Sequence, residues 1–427
     1  MDHIKDKIDF RQYGGFKGNS ITHYLIEFIN FILSKQDSYD QTAVLACMVD
    51  FSKAFNRQNH HILITKLCKL GLPGWLIRIV VAFLTKREMF VRYKGAQSHV
   101  KPLPGGGPQG TLLGLLLFII LINDLGFDGQ ANNAGDIITC RKNLKAVNEL
   151  HLKYVDDLTY AESINMPEQL QYIPTTQRSL PDSYHARTGH VLPLESSRIY
   201  NQLSRTEDYA RLNEMKFNYK KSKVMVFNPC HSVDFMPELA LHNHQLEVVD
   251  ELKLLGVVFR SDLKWSSNTE HIVKKANSRL WTLRRLKNLG ASEDDLLDIY
   301  TKQVRSVLEL AVPAWHNRLT QTESQDIERV QKNALHIVLD SDYLSYKNAL
   351  NTVKLETLEQ RRVKLSLKFA RKAEKHPKFS KWFNLNEVNV NTRQSKPKYQ
   401  EVKARLNRFK QSPIAYLTRL LNELYLK

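Results

Sequence analysis

The stretch Leu152 to Ala161, LKYVDDLTYA, constrains this chain more than any other. Two adjacent carboxylates, Asp156 and Asp157, stand between two short runs of β-branched and aromatic residues, the pattern of strand, acidic tip, strand. Neighbouring side chains of a regular strand point to opposite faces, so both carboxylates reach one spot only where the chain reverses. An acidic hairpin tip is therefore predicted. Like charges packed that close repel, and either one pKa rises or a bound cation neutralises both. The alternative is an exposed Asp-rich turn without chemistry, and the rest of the chain has to decide between them.

At 427 residues the chain is long enough for two or three domains. Lys and Arg number 62 against 44 Asp and Glu, a formal net charge of +18. That balance favours a polyanionic partner, nucleic acid ahead of an anionic membrane surface. The most apolar run, Leu112 to Ile122, falls well short of the roughly 20 residues that span a bilayer, so it reads as a buried helix and no membrane partner is expected. The N-terminus MDHIKDKIDF lacks the apolar core of a signal peptide, which implies an intracellular protein, nuclear or cytoplasmic. Cys47, Cys68, Cys140 and Cys230 are widely spaced without a CxxC pair, against both a disulfide framework and a zinc module.

Residues 11–33 begin with a glycine-punctuated loop and continue with Tyr24, Leu25, Phe28, Ile29 and Ile32 at amphipathic-helix spacing, capped by Asn19 or Ser20. Gly14, Gly15 and Gly18 read as a loop before a helix, since no strand precedes them as a phosphate cradle requires. Val44 to Val49 is an unbroken apolar run of strand length, as in a strand covered on both faces, with Asp50 at its carboxyl end. An Asp there is either a ligand position or a helix cap. Helical spacing follows from Asn59 to Leu70 and from Trp75 to Leu84, then a basic stretch and the strand MFVRYKG. PGGGPQGTLLGLLLFIILINDL joins a tight turn to an apolar helix, at whose amino end Gln109, Gly110 and Thr111 would let a flat ligand approach the backbone. The plainer alternative is a helix that needs a tight entry loop.

Asp50 in DFSKAF, Gln109 in GPQG followed by LLG and LINDL, and Asp156 with Asp157 in YVDD stand in the order and approximate spacing of motifs A, B and C of reverse transcriptases. MKFNYKKSKVMVF (215–227) resembles motif D, and LKLLGVVFRSDLKW (252–265) resembles motif E. Beyond them, HIVKKANSRLWTLRRLK, LELAVPAWHNRL and IERVQKNAL are similar to the thumb-like segment of the non-LTR (LINE-like) retrotransposon enzymes. The resemblance covers roughly residues 11–370, and five motifs in register are far more specific than any one.

The resemblance implies an α+β right-hand polymerase: a palm with an antiparallel sheet and flanking helices, truncated fingers and a helical thumb. The expected divisions are partial fingers over 1–42, palm and residual fingers over 43–260 with an insertion near 165–205, thumb over 261–345, and a basic helical C-terminal region and tail over 346–427. Asp50, Asp156 and Asp157 would bind two magnesium ions, with manganese as the alternative, for in-line phosphoryl transfer. Lys221 would be a general acid toward pyrophosphate. Phe51, Phe55, Gln109 and Gly110 would contact the nucleotide, with the Phe55 ring under its sugar selecting deoxynucleotides. An ordinary core phenylalanine is the other reading of Phe55. Lys274, Lys275, Arg279, Arg284 and Arg285, around the apolar stripe of a helix, would grip nucleic acid. From Arg361 to Lys381 nine basic residues against one acid, Glu374, point to further contact. Implied partners are an RNA template, a DNA primer or target DNA, and deoxynucleoside triphosphates. With no recognisable endonuclease or ribonuclease H domain and a short amino end, a non-catalytic nucleic-acid-binding remnant is the alternative, and an RNA-copying palm polymerase a third.

Overall fold

The structure is a computed structural model that describes residues 7–38, 42–103, 105–125, 148–165, 171–172, 190–192, 197–229, 235–237, 239–241, 244–386 and 397–426. In chain order its longer helices, with the strands of its main sheet and of the last hairpin, are α1 (Ile21–Ser38), β1 (Thr42–Val49), α2 (His60–Lys69), α3 (Gly74–Leu84), α4 (Leu112–Leu121), β2 (Glu149–Tyr154), β3 (Asp157–Asn165), α5 (Arg198–Leu212), β4 (Lys223–Phe227), β5 (Glu247–Val248), β6 (Glu251–Leu254), β7 (Val257–Arg260), α6 (Ser266–Asn288), α7 (Gln321–Leu339), α8 (Leu358–Lys375) and α9 (Pro413–Leu426). The fold is mixed α+β. It divides into two compact units, residues 1–20 with 43–226 and 230–248, and residues 21–42 with 227–229 and 249–427. Residues 1–42 are shared between the units, and 261–345 and 346–427 fall in the same one.

The first unit is built on a five-stranded sheet in the order β5-β4-β1-β3-β2. All eight residues of β1 are buried, as its unbroken apolar run requires of a central strand. β2 and β3 form the predicted hairpin, in antiparallel register from Glu149↔Glu162 to Tyr154↔Asp157. The expected all-antiparallel sheet needs one correction: β4 and β5 pair in parallel, Lys223↔Glu247 and Val224↔Val248. The segment 228–246 between them is long enough for the crossover that parallel pairing demands. On the sheet's helical side Leu63 and Leu67 of α2, Leu117, Phe118 and Leu121 of α4, and Ile199, Leu203 and Ala210 of α5 share one core with Leu45, Cys47 and Val49.

Several local expectations shift. α3 buries only Val80 and Leu84, while Trp75 and Ile79 are exposed. The run MFVRYKG breaks into short strands, Arg87–Met89 paired with Lys101–Leu103 and Arg92–Tyr93 with Ala96–Gln97. The α4 run is buried only past its first turn, Leu112 being 90% exposed. Much of the 165–205 insertion lies outside the described residues, but its end is earlier than expected because α5 starts at Arg198. There Ser197 caps the helix and the buried Glu162 carboxylate accepts from Ser197 Oγ (2.5 Å) and Arg198 N (2.8 Å), an acid at a helix amino end.

The second unit is largely helical. α1 is buried nearly all round from His23 to Asp37 rather than along one stripe, and Asp37 accepts from the backbone N–H groups of Arg405 (3.1 Å) and Leu406 (2.6 Å). β6 and β7 form an antiparallel hairpin, and Phe259 lies edge-on between Phe28 and Trp265. α6 packs on α7, and Thr320 with Glu323 and Thr357 with Gln360 form capping boxes at the starts of α7 and α8. No helix among the described residues is long and apolar enough to cross a membrane.

Candidate active site

The acidic tip forms because β2 and β3 close through a two-residue turn, Val155 and Asp156, so that Asp156 sits in the turn and Asp157 opens β3 beside it. Val155 adopts a left-handed backbone, φ 59°, which for a β-branched residue costs on the order of 1–2 kcal/mol. β1 and β3 are neighbours in the sheet, and Asp50 at the carboxyl end of β1 faces the same corner. Burial, and then the charge of Asp50, push the Asp156 carboxyl above its ordinary range. Burial together with the charges of Asp156 and Asp50 pushes Asp157 up to about 6, while Lys221 pulls both the other way.

Asp50 is gripped at its backbone by the turn after α5. Asn218 N donates to Asp50 O (2.8 Å), Asp50 N donates to Ser222 Oγ (3.1 Å), and Ser222 Oγ donates to Asn218 O (3.1 Å). That turn carries Lys221, whose Nζ lies 4.0 Å from Asp50 Oδ2 with its side chain 72% exposed. Of the lysines in this turn, Lys221 pairs with Asp50 and Lys223 with Glu247. The Ser222 clamp was not foreseen, because a small hydroxyl in a lysine-rich turn carries no signal of its own.

The aspartates share one electrostatic neighbourhood without closing into a ligand shell: among the described residues no three His, Cys, Asp or Glu side chains are grouped to hold a metal ion. The donor chemistry nevertheless fits a hard divalent cation, since burial and the neighbouring carboxylate charges raise the proton affinity of Asp156 and Asp157, and a cation's charge would offset both. The fold thus brings all three within electrostatic reach of one another at one corner.

The residues expected at the nucleotide are placed unevenly. Phe51 is 3% exposed and stacked on Phe217 (5.1 Å between centroids), so its side chain is packed in the core. Phe55 is half-buried, its ring fixed by stacking on Phe118 of α4 at 4.8 Å. Gln109 and Gly110 are exposed, Gly110 has φ +81° with open space where a Cβ would stand, and Thr111 caps α4 by accepting from Gly114 N (3.0 Å).

In the second unit, Lys274, Lys275, Arg284 and Arg285 are exposed around the buried stripe Ile272, Ala276, Leu280 and Leu283. Arg279 is partly committed, donating to Gln303 O, whereas Arg285 lies 5.0 Å over the exposed ring of Trp281. The run from Arg361 to Lys381 is less available than its charge suggests. Arg361 pairs with Glu309, Lys364 with Glu356, and Arg362 is 1% exposed, bound to His316 and Ser324.

Comparison with known proteins bears on this arrangement. The family model for reverse transcriptase (RNA-dependent DNA polymerase) matches residues 1–259. The chain belongs to the reverse transcriptase family. This reverse transcriptase chain is 21% identical over 372 residues to the probable RNA-directed DNA polymerase from transposon BS of Drosophila melanogaster, covering 86% of this chain and 36% of that protein. It is 29% identical over 114 residues to the RNA-directed DNA polymerase from mobile element jockey of the same fly, 27% of this chain and 12% of that one. It thus spans about a third or less of the length of these relatives. Among solved structures, apo telomerase from Candida tropicalis is similar at 12% identity and TM-score 0.41, covering 87% of this chain and 54% of that one, too distant a likeness to argue from.

The raised Asp157 pKa gives a test that needs no substrate. Between pH about 4 and about 6 the folded state keeps a proton that the unfolded carboxyl, ordinarily near 3.8, has released, so stability falls as pH rises through that window and is flat above it. Without divalent cation, Asp157→Asn is expected to stabilise the fold at pH 7 by on the order of 1–2 kcal/mol after solvent screening, and hardly at all at pH 4. Urea unfolding at the two pH values measures the difference.

Proposed function

We propose that this chain is an RNA-directed DNA polymerase of non-LTR retrotransposon type, extending a DNA primer on an RNA template with deoxynucleoside triphosphates. The convergence of Asp50, Asp156 and Asp157 on one corner of a reverse transcriptase fold carries the reading. Asp50, Asp156 and Asp157 would hold two magnesium ions, or manganese in their place. When bound, such ions stabilise the charge on the attacking and departing oxygens. The residues themselves do the positioning. The Ser222 clamp fixes Asp50, exposed Lys221 is free to swing to the departing pyrophosphate and give it a proton, and the Gln109–Gly110 backbone admits the base. The Phe55 ring, held by stacking on Phe118, would lie under the nucleotide sugar and clash with a ribose 2′-hydroxyl.

Primer extension on an RNA template tests this. Magnesium-dependent incorporation of deoxynucleotides is expected, lost in Asp156→Asn, with ribonucleotide use rising roughly tenfold or more in Phe55→Ala. Equal use of both sugars by the native chain would point to an RNA-copying enzyme. A second reading, a nucleic-acid-binding relative without catalysis, draws on there being, among the described residues, no three His, Cys, Asp or Glu side chains grouped to hold a metal ion. It predicts no incorporation above Asp156→Asn with duplex binding intact.

The exposed basic face of α6 would hold the duplex through phosphates. Neutralising Lys275 and Arg284 together is expected to weaken binding at every sequence alike and to reduce the slope of log affinity against log salt by about 2. Titrations from low to moderate salt read that slope.

A further inference from the structure

The loop before α1 carries the adjacent glycines Gly14 and Gly15 and a buried glutamine, Gln12, that the proposed chemistry does not use. Gln12 is 3% exposed, and its Oε1 accepts from two backbone donors, Gly14 N (3.0 Å) and Val155 N (2.9 Å). Val155 is the left-handed residue of the acidic turn. The backbone of the same segment is laced to β2: Tyr13 N donates to Lys153 O (2.8 Å), Lys153 N donates to Arg11 O (3.0 Å), and Gln12 bridges Lys153 in parallel. Gly14 lies so close that a Cβ there would stand 2.5 Å from Val155 Cγ2 and 3.0 Å from Val155 N. A Cβ on Gly15 would stand 2.4 Å from Ile119 Cδ1 of α4. The loop is therefore wedged between the turn and α4, with no room for side chains on either glycine.

We infer that Gln12 is a positioning residue for the acidic turn: by accepting the Val155 N–H it holds Val155 left-handed and so aims Asp156 and Asp157. Three features support this and argue against simple core filling. A glutamine is a poor choice for a dry site unless its polar atoms are used, and Gln12 Nε2 has no hydrogen-bond partner, so the oxygen is what the site employs. The acceptor meets the one amide of the turn whose residue is strained, where an unpaired buried N–H would otherwise favour relaxation to another turn. Gly14 supplies the close approach that lets one side-chain oxygen serve both loop and turn.

The inference rests on the reading of Asp156 and Asp157 as the reactive corner, and its test is arranged to outlive that reading. Gln12→Met keeps length and bulk but loses the acceptor. The Val155 amide of Gln12→Met is expected to exchange with solvent at least tenfold faster than in the native chain, while amides in the middle of β1 stay protected. In primer extension, kcat should fall ten- to a hundredfold with the deoxynucleotide KM within about twofold. Adding Val155→Gly should restore most of kcat, because glycine takes a positive φ without help. Unchanged Val155 exchange in Gln12→Met, or a loss of kcat that Val155→Gly does not relieve, would overturn the assignment. If the native chain extends no primer, the polymerase reading fails, yet the exchange comparison still decides the role of Gln12. Should Gln12→Met not fold, Gly14→Ala reaches the same contact from the other side: its methyl displaces Val155, Val155→Gly removes the 2.5 Å clash with Cγ2 and leaves only the 3.0 Å approach to Val155 N, and the absence of even partial recovery in that double variant counts against the proposal.

Discussion

Asp50→Asn is expected to lower primer extension by roughly 10³-fold or more while leaving the chain folded. The size follows from the role: removing one ligand of a catalytic ion forfeits about 4 kcal/mol of charge stabilisation that exists only as the phosphoryl group moves, at 1.36 kcal/mol per tenfold. Folding is spared because the backbone of Asp50, not its carboxylate, is held by Asn218 and Ser222. A second readout separates electrostatics from ligation. Asp50 is one of the charges that raise Asp157 to about 6, so in Asp50→Asn the Asp157 carboxyl should titrate lower, visible by carboxyl NMR without any metal or substrate. Full activity in Asp50→Asn, or an Asp157 titration that does not move, would remove Asp50 from the site.

The largest stability effect is expected at Lys153, three residues before Asp156. Its side chain is buried at 4% exposure, its Nζ paired with Asp9 Oδ2 at 2.6 Å and donating to Leu125 O at 2.5 Å and Ile122 O at 3.3 Å. Burial pulls its pKa down to about 8 although Asp9 works against that shift. Lys153→Met leaves Asp9, itself 2% exposed, beside Arg11 alone and strands carbonyls at the end of α4. Breaking one side of a buried pair costs about 3–5 kcal/mol, and urea unfolding at pH 7 should show a loss of that size. Asp9→Asn with Lys153→Met should recover part of it, since neither buried charge then remains. A loss below about 1 kcal/mol would mean that solvent reaches the pair. The sign with pH is also set: a lysine whose folded pKa is lowered releases its proton earlier in the folded state, so this residue's penalty on stability shrinks as pH rises from about 8 toward 10.

Sequence and structure divide the work unevenly. Apolar runs and turn residues were enough for β1, the β2–β3 hairpin, α2 and α4, because a covered strand, a two-sided ribbon and a capped helix each leave a local period that needs no partner to be read. The order DFSKAF, GPQG, YVDD likewise made the three aspartates legible, since an acid at a strand end and an acidic pair at a reversal are placed by the backbone alone. The core packing of Phe51 was not legible, for the opposite reason. Its neighbour Asp50 faces the site, and only the stacking of Phe51 on Phe217, 166 positions away in the chain, sends its ring to the core. Arg362 looked like a surface cation until the helix carrying it was packed against His316 and Ser324.

What the sequence determined by itself was therefore the chemistry on offer: acidic side chains, their order, and the strands and helices that bear them. What the tertiary structure alone decided was how those groups are held, through the Ser222 clamp on Asp50, the Gln12 acceptor at Val155 and the buried Asp9–Lys153 pair. The physical reason is range. Periodicity and turn preference act over a few residues, whereas a hydrogen bond that spans 143 positions, as from Val155 to Gln12, has no local trace and forms only once the chain has closed.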